Sequence, residues 1–159
     1  MNGTQTPTII AAGTPDQIEQ VRRLFRAYAE ATGHCECFPG FEQELAVLPG
    51  EYAPPTGQLL LAAVEAGPAG CVALRKLDDG ICEMKRLYVS PKFRGRSLGR
   101  QLAKAIVADG RRLGYRAIRL DTLPSMVAAR ALYQSLEFRP IPRYNDNSSA
   151  GVIYLELRL

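Results

Sequence analysis

Residues 94–100 read Arg-Gly-Arg-Ser-Leu-Gly-Arg, between an apolar stretch that ends at Val89 and a helical pattern that begins at Leu98. Residue types in that order suit one task. Small residues let the backbone curl, so that several amide N–H groups converge on one point. A helix start adds unpaired N–H donors and the positive end of its dipole. Guanidinium groups match phosphate oxygens. Together these predict a phosphate site formed by Arg94, Gly95, Arg96, Ser97, Leu98, Gly99 and Arg100. Two more side chains could move protons. Glu83 lies in the strand pattern before the loop and Tyr133 in a helical pattern after it. A half-buried carboxylate accepts a proton more readily than an exposed one, and a phenol can donate one. In plainer roles, Glu83 is a solvent-side strand residue or ion-pair partner, and Tyr133 is a core residue packed on Phe138.

The elements that must position these groups follow from hydrophobic period and turn chemistry. Thr8 to Ala12 reads as a strand. Thr14-Pro15-Asp16-Gln17 opens a helix, with a Thr cap, Pro at the first turn and Gln in capping-box register. Ile18, Val21, Leu24, Phe25 and Tyr28 recur at helical spacing, and Gly33 ends the run. A short helix is expected around Phe41 to Leu48. Leu59 to Glu65 is a strand, Gly67-Pro68 a turn, and Gly70 to Leu77 the next strand. Asp78-Asp79-Gly80 turns the chain into a fourth strand, Ile81 to Val89. A helix over Leu98 to Leu113 leads to a fifth strand, Arg116 to Asp121, parallel to the fourth because a helix connects them. Ser125 to Leu136 is a helix capped by Ser125. Arg139 to Arg143 and Val152 to Arg158 finish the sheet. The prediction is one α/β domain over residues 1–159, with a mixed, mostly antiparallel sheet, a central β-α-β crossover and flanking helices.

The loop lacks the G-x-x-x-x-G-K-[ST] and G-x-G-x-x-G phosphate patterns. It resembles instead the [RQ]-x-x-G-x-[GA] loop of the GCN5-related N-acetyltransferases (GNAT). Arg94, Gly95, Arg96, Leu98 and Gly99 fit that loop, and Ser97 takes the place of its first glycine. Glu83 to Val89 resembles the family's fourth strand, and Asp121-Thr122 ends a later one. Ala129-Arg130-Ala131-Leu132-Tyr133 with Glu137-Phe138 resembles the family's A-x-x-L-Y-x-x-x-G-F segment. There Glu137 replaces the usual Gly, and Met126 stands where an Asn usually opens the helix. The likeness spans roughly residues 58 to 140.

The resemblance implies acetyl-CoA as co-substrate, with no metal, and direct acyl transfer to an amine of a small molecule or peptide. It implies that the diphosphate rests on residues 94–100. The pantetheine arm would pair with the backbone of Leu87, Tyr88 and Val89 where the fourth and fifth strands splay, and Ser125 would face the cofactor. It implies Tyr133 as the acid toward the leaving sulfur and Glu83 as the base, directly or through water. Tyr28, His34, Phe38, Phe41, Glu42, Arg75, Tyr144 and Asn145 would surround the acceptor. Family members often pair, which allows a homodimer. A module of the same fold that senses acyl-CoA without turnover is the alternative.

Composition narrows the classes. The chain has 159 residues, 47% of them hydrophobic, enough for one sizeable core. No apolar run approaches the ~18 residues of a membrane span, and the N-terminus lacks a basic and apolar leader, so a cytoplasmic protein is expected. Residues 85–119 hold 11 basic and 1 acidic side chains, whereas residues 1–84 hold 5 basic and 11 acidic. The basic stretch fits a polyanionic ligand. It lacks the interleaved aromatics of a nucleic-acid platform, and Lys104, Arg111, Arg112 and Arg116 read as a solvated helix face. The acidic N-terminal part points to a cationic amine as acceptor. Cys71 and Cys82 read as small apolar core residues. His34-Cys35-Glu36-Cys37 lacks a second ligand pair for zinc.

Overall fold

The computed structural model describes residues 5–33 and 40–159. Seven strands form one sheet in the order β1-β2-β3-β4-β5-β7-β6. They are β1 (Thr8–Ala11), β2 (Gln58–Val64), β3 (Gly67–Asp78), β4 (Ile81–Val89), β5 (Ala117–Thr122), β6 (Arg139–Pro140) and β7 (Ile153–Arg158). Among the described residues four α-helices flank it: α1 (Pro15–Thr32), α2 (Phe41–Ala46), α3 (Leu98–Arg112) and α4 (Val127–Ser135). Only β4 and β5 are parallel, joined through α3, and every other pair is antiparallel. The expected mixed sheet with one crossover is therefore the observed fold.

Period-two alternation divides the strands between two cores. Leu60, Ala62, Val72, Leu74, Cys82 and Met84 pack with α3, and Leu59, Leu61, Cys71 and Ala73 pack with α1 and α2. Cys71 and Cys82 are buried free thiols within these layers, as their apolar reading required. The α1 cap is the expected box: Gln17 N–H donates to Thr14 Oγ1, the Gln17 side chain accepts from the Thr14 N–H, and Gly33 closes the helix in the left-handed region. Lys104, Arg111, Arg112 and Arg116 are exposed.

Three local expectations change. The β2–β3 turn is Glu65-Ala66, and Gly67-Pro68 already belongs to β3, where a register shift at Ala62/Ala63 accommodates the missing Pro68 N–H. The helix α4 starts at Val127 with Met126 as its cap residue; Ser125 belongs to a preceding turn in which Met126 N–H donates to Leu123 O, so Ser125 caps nothing. The strand β6 stops after two residues, because Pro140 and Pro142 each remove a ladder donor.

Two departures decide the site. The strands β4 and β5 pair only from Ile81–Ala117 to Glu83–Arg119, and then separate. Just beyond, β4 carries a bulge between its Lys85 and Tyr88 rungs, with Arg86 at φ 61°. Strict alternation from Cys82 and Met84 would aim Arg86 into the apolar α3 core. The extra residue turns Arg86 toward α2 instead, and sends Leu87 and Val89 into the α3 core.

Candidate active site

The divergence of β4 and β5 opens two connected hollows of about 400 Å³ each. Tyr28, Leu87, Met126 and Ala129 line both. One, a groove, runs along Leu87, Tyr88 and Val89 to Arg94, Gly95, Ser97, Leu98 and Gly99, with Leu132 on its far wall. The other, a cavity, is walled by Arg75, Lys85, Arg86, Glu44, Asp121, Tyr133 and the loop from Asn145 to Ser149.

The groove is made by one contiguous stretch. After β4, a 3-10 turn over Pro91–Phe93 leads into the loop. Gly95 and Ser97 both adopt left-handed backbone, at φ 79° and 61°. The first helical N–H with a backbone partner is that of Gln101, donating to Ser97 O at 3.0 Å; those of Leu98, Gly99 and Arg100 donate to no other described residue. Such a curl of free amides at a helix start is an anion cradle. A Cβ at Gly99 would meet only Val89 Cγ2 at 3.7 Å and Leu132 Cδ2 at 3.9 Å, so it would take up groove space without displacing protein atoms. These features fit a diphosphate. The Ser97 conformation explains why a glycine suits that position, and the Ser97 side chain makes no capping bond. Arg94 Nε donates to Val89 O at 3.1 Å, with its guanidinium over the Tyr88 ring. Arg96 rests over Phe93 and Arg100 donates to Ser135 Oγ; both are exposed and stand outside the groove lining. Ser125 is exposed and lines neither hollow, so the structure does not bring it to the site.

Tyr133 is brought to the cavity by α4 and packs on Phe138, ring centroids 5.7 Å apart. Phe138 N–H donates to Tyr133 O and Glu137 N–H to Gln134 O, the paired bonds of a left-handed helix end. Glu137 sits at the turning residue with φ 72°, which is why glycine is usual there. Burial, and then the neighbouring Tyr28 and Asp121, push the Tyr133 phenol well above its ordinary value. It is therefore held protonated, as a proton donor must be.

Glu83 stands behind the cavity lining and is 1% exposed. Its Oε1 accepts from Arg75 Nε at 2.8 Å and its Oε2 from the Tyr144 hydroxyl at 2.6 Å, while Lys85 Nζ stands 3.8 Å from Oε1. Arg75 also holds Glu51 at 2.8 Å. Each carboxylate oxygen already accepts a hydrogen bond, the surroundings of an ion-pair partner. The N-terminal acids are similarly engaged: Glu42 with Arg26, and Glu44 bidentately with Arg86 at 3.1 and 3.2 Å. Glu42 and Glu44 are therefore not free anions, whereas Asp16, Glu30 and Glu65 are exposed.

Of the expected acceptor residues, Tyr28, Arg75 and Asn145 line the cavity, Tyr144 supports it through Glu83, and Phe41 is buried under the Arg86 guanidinium. Glu42 is exposed, and His34 and Phe38 lie outside the described residues. The sequence reading missed Arg86, Lys85 and Asp121 as wall residues. A charged side chain at an apolar register position was the available signal for Arg86, and a carboxylate at the end of β5 was the signal for Asp121. Among the described residues no group of three or more His, Cys, Asp or Glu could hold a metal ion, and no helix is long and apolar enough to cross a membrane.

Residues 18–138 match the acetyltransferase (GNAT) family. The chain belongs to that family and is an N-acetyltransferase. An uncharacterized N-acetyltransferase of Schizosaccharomyces pombe is 37% identical over 154 residues, covering 96% of this chain and 94% of the relative. The N-acetylaspartate synthetase of Danio rerio is 31% identical over 133 residues, covering 82% of this chain but 44% of its own length. A GNAT-family acetyltransferase structure from Staphylococcus aureus superposes with a TM-score of 0.80 at 17% identity, over 96% of this chain and 98% of the other. A Salmonella typhimurium protein solved with its cofactor acetyl-CoA superposes with a TM-score of 0.73 at 18% identity, over 97% and 94%.

Proposed function

We propose that this N-acetyltransferase moves an acetyl group from acetyl-CoA directly to the primary amine of a small molecule. The observation that carries the reading is the opening of the sheet beyond the Glu83–Arg119 rung, which joins an amide-lined groove to a cavity containing a buried phenol. Acetyl-CoA, when bound, supplies an acyl carbon activated as a thioester. The amides of Leu98, Gly99 and Arg100, with Arg94, would hold its diphosphate. Beyond Glu83 the outer edge of β4 has lost β5 as partner, so Leu87 to Val89 offers backbone groups to an extended ligand. The solved relative that carries acetyl-CoA supports this use of the fold.

In the transfer, the amine nitrogen forms the C–N bond as the C–S bond breaks. Tyr133 Oη donates its proton to the departing sulfur, and the proton shed by the amine leaves through the cavity mouth. Solvent then restores the phenol. Glu83 serves as a positioning residue that holds Arg75, Lys85 and Tyr144 on the cavity wall. The cavity volume favours a small acceptor over a folded protein surface.

Differential scanning fluorimetry with acetyl-CoA, followed by thiol-release assays on a panel of small amines, tests the reading. CoA at 100-fold over its dissociation constant should stabilise the fold by ~2.7 kcal/mol. At least one amine should then release thiol. Stabilisation with no release from any amine would favour an acyl-CoA sensor instead.

A further inference from the structure

Lys85 and Asp121 stand two residues beyond the last rung that joins β4 to β5, Glu83–Arg119. In a continued parallel pairing they would be direct neighbours on the same sheet face. The strands part there, and the two side chains line the cavity without forming an ion pair with each other. Each has unused capacity. Asp121 Oδ2 accepts from Asn145 Nδ2 at 2.7 Å and Asn147 Nδ2 at 3.3 Å, which fixes the carboxylate; no described residue donates to Oδ1 and no described cation pairs with it. Lys85 is 19% exposed, and its Nζ forms an ion pair with Glu83 Oε1 at 3.8 Å, longer than a hydrogen bond, so its N–H donors are open to a ligand. The remaining buried charges of the wall are answered: Glu44 by Arg86, and Arg75 by Glu51 and Glu83. Asp146 is exposed. A half-buried carboxylate with no described cation beside it, and on the same cavity lining a half-buried ammonium whose ion-pair partner Glu83, at 3.8 Å, is shared with Arg75, match a ligand with the opposite pair of charges.

Taking the chain as the N-acetyltransferase proposed above, we infer that its acceptor is a zwitterion, a small free amino acid whose ammonium sits on Asp121 and whose carboxylate sits on Lys85. A polyamine would place a second cation against Lys85, and a simple monoamine would leave the Lys85 donors unused. The chain end of a peptide would carry its carboxylate too far away. Tyr133 lines the same cavity, so the amine on Asp121, nucleophilic once its ammonium has released a proton to solvent, shares the cavity with the proton donor.

The test compares free L-amino acids with their α-carboxamides, which keep the amine and lose the negative charge, by thiol release from acetyl-CoA. Free acids should be preferred by about tenfold or more in kcat/KM, the size expected for one charge-assisted contact. Lys85→Met should raise KM for the acids alone and reduce the preference to about twofold or less. Lys85→Arg should restore part of it. Asp121→Asn should lower kcat/KM for acids and amides alike. Amides used as well as acids by the native enzyme, or a preference that survives Lys85→Met, would overturn the proposal while leaving the acetyltransferase intact. No thiol release with any amine, while CoA still stabilises the fold, would overturn both readings together.

Discussion

The two hollows on either side of Tyr28 and Leu87 are built on opposite plans. The groove is mostly backbone and small or apolar side chains from the run Leu87 to Gly99, closed by Tyr28, Ala31 and Thr32 of α1 and the near face of α4. The cavity is charged side chains collected from α2, β3, β4, β5 and the loop before β7, tied by ion pairs such as Arg75–Glu83 and Arg86–Glu44. A backbone cradle recognises a diphosphate whatever the side chains around it, whereas a wall of paired charges recognises only a ligand that complements its unpaired members. The groove thus suits a co-substrate common to a family, and the cavity suits an acceptor particular to one member.

The comparison breaks first at Gly99. Gly99→Val should abolish the CoA-induced rise in melting temperature while the unliganded protein stays folded, because the new side chain meets ordinary contacts and occupies the groove. Normal CoA binding by that variant would remove the groove from the account. Next is the junction: Tyr133→Phe should lower kcat about 100-fold with CoA affinity within about twofold, as expected for loss of a general acid. Unchanged turnover would leave Tyr133 as a packing residue. In the cavity, Glu83→Gln should cost about 3 kcal/mol in urea unfolding, because it leaves Arg75 and Lys85 without their buried counter-charge. It should raise the acceptor KM more than it lowers kcat; a fall in kcat alone, with stability intact, would return Glu83 to the role of base. The smallest effects belong to the two left-handed residues. Ser97→Gly and Glu137→Gly should each stabilise the fold by about 0.5–1 kcal/mol, since glycine adopts φ 61° and 72° without a Cβ penalty.

The pH response sharpens the same picture. Burial first, then the Glu83 charge, raises the Tyr144 phenol, and burial first raises Tyr28, Tyr52 and Tyr133. Burial likewise pushes the Cys82 thiol up to about 12. A group whose folded value is raised keeps its proton in the native state after the unfolded chain has lost it. Stability from these groups is therefore complete below their unfolded values and lost as pH climbs past about 9 for the thiols and about 10 for the phenols. Chemical denaturation across pH 7 to 11 should show a flat plateau and then a fall. Turnover should show no loss below pH 10 from ionisation of Tyr133.

How much was legible follows the same division. Element order, the parallel crossover and the phosphate loop were readable because each depends on neighbours in sequence: a capping box, a period of two or 3.6, a run of small residues before a helix. The Ser125 cap was misplaced because the turn Leu123–Met126 delays the helix, and no residue type announces that delay. Glu83 was readable as a strand residue on the right face. Its partners were not, since Arg75 and Tyr144 reach it from 8 and 61 positions away along the chain, and Arg75 is shared with Glu51 a further 24 positions off.

By itself, then, the sequence determined the sheet, the crossover and the family to which the chain belongs, because local pattern and short-range turn chemistry are enough for those. Tertiary structure alone decided which charges are satisfied and which remain open. The bulge at Arg86 sends that guanidinium to Glu44, and the parting of β4 from β5 keeps Lys85 from Asp121. Pairing of charges depends on distances of a few ångströms between segments far apart in the chain, and no spacing within a single segment encodes those distances.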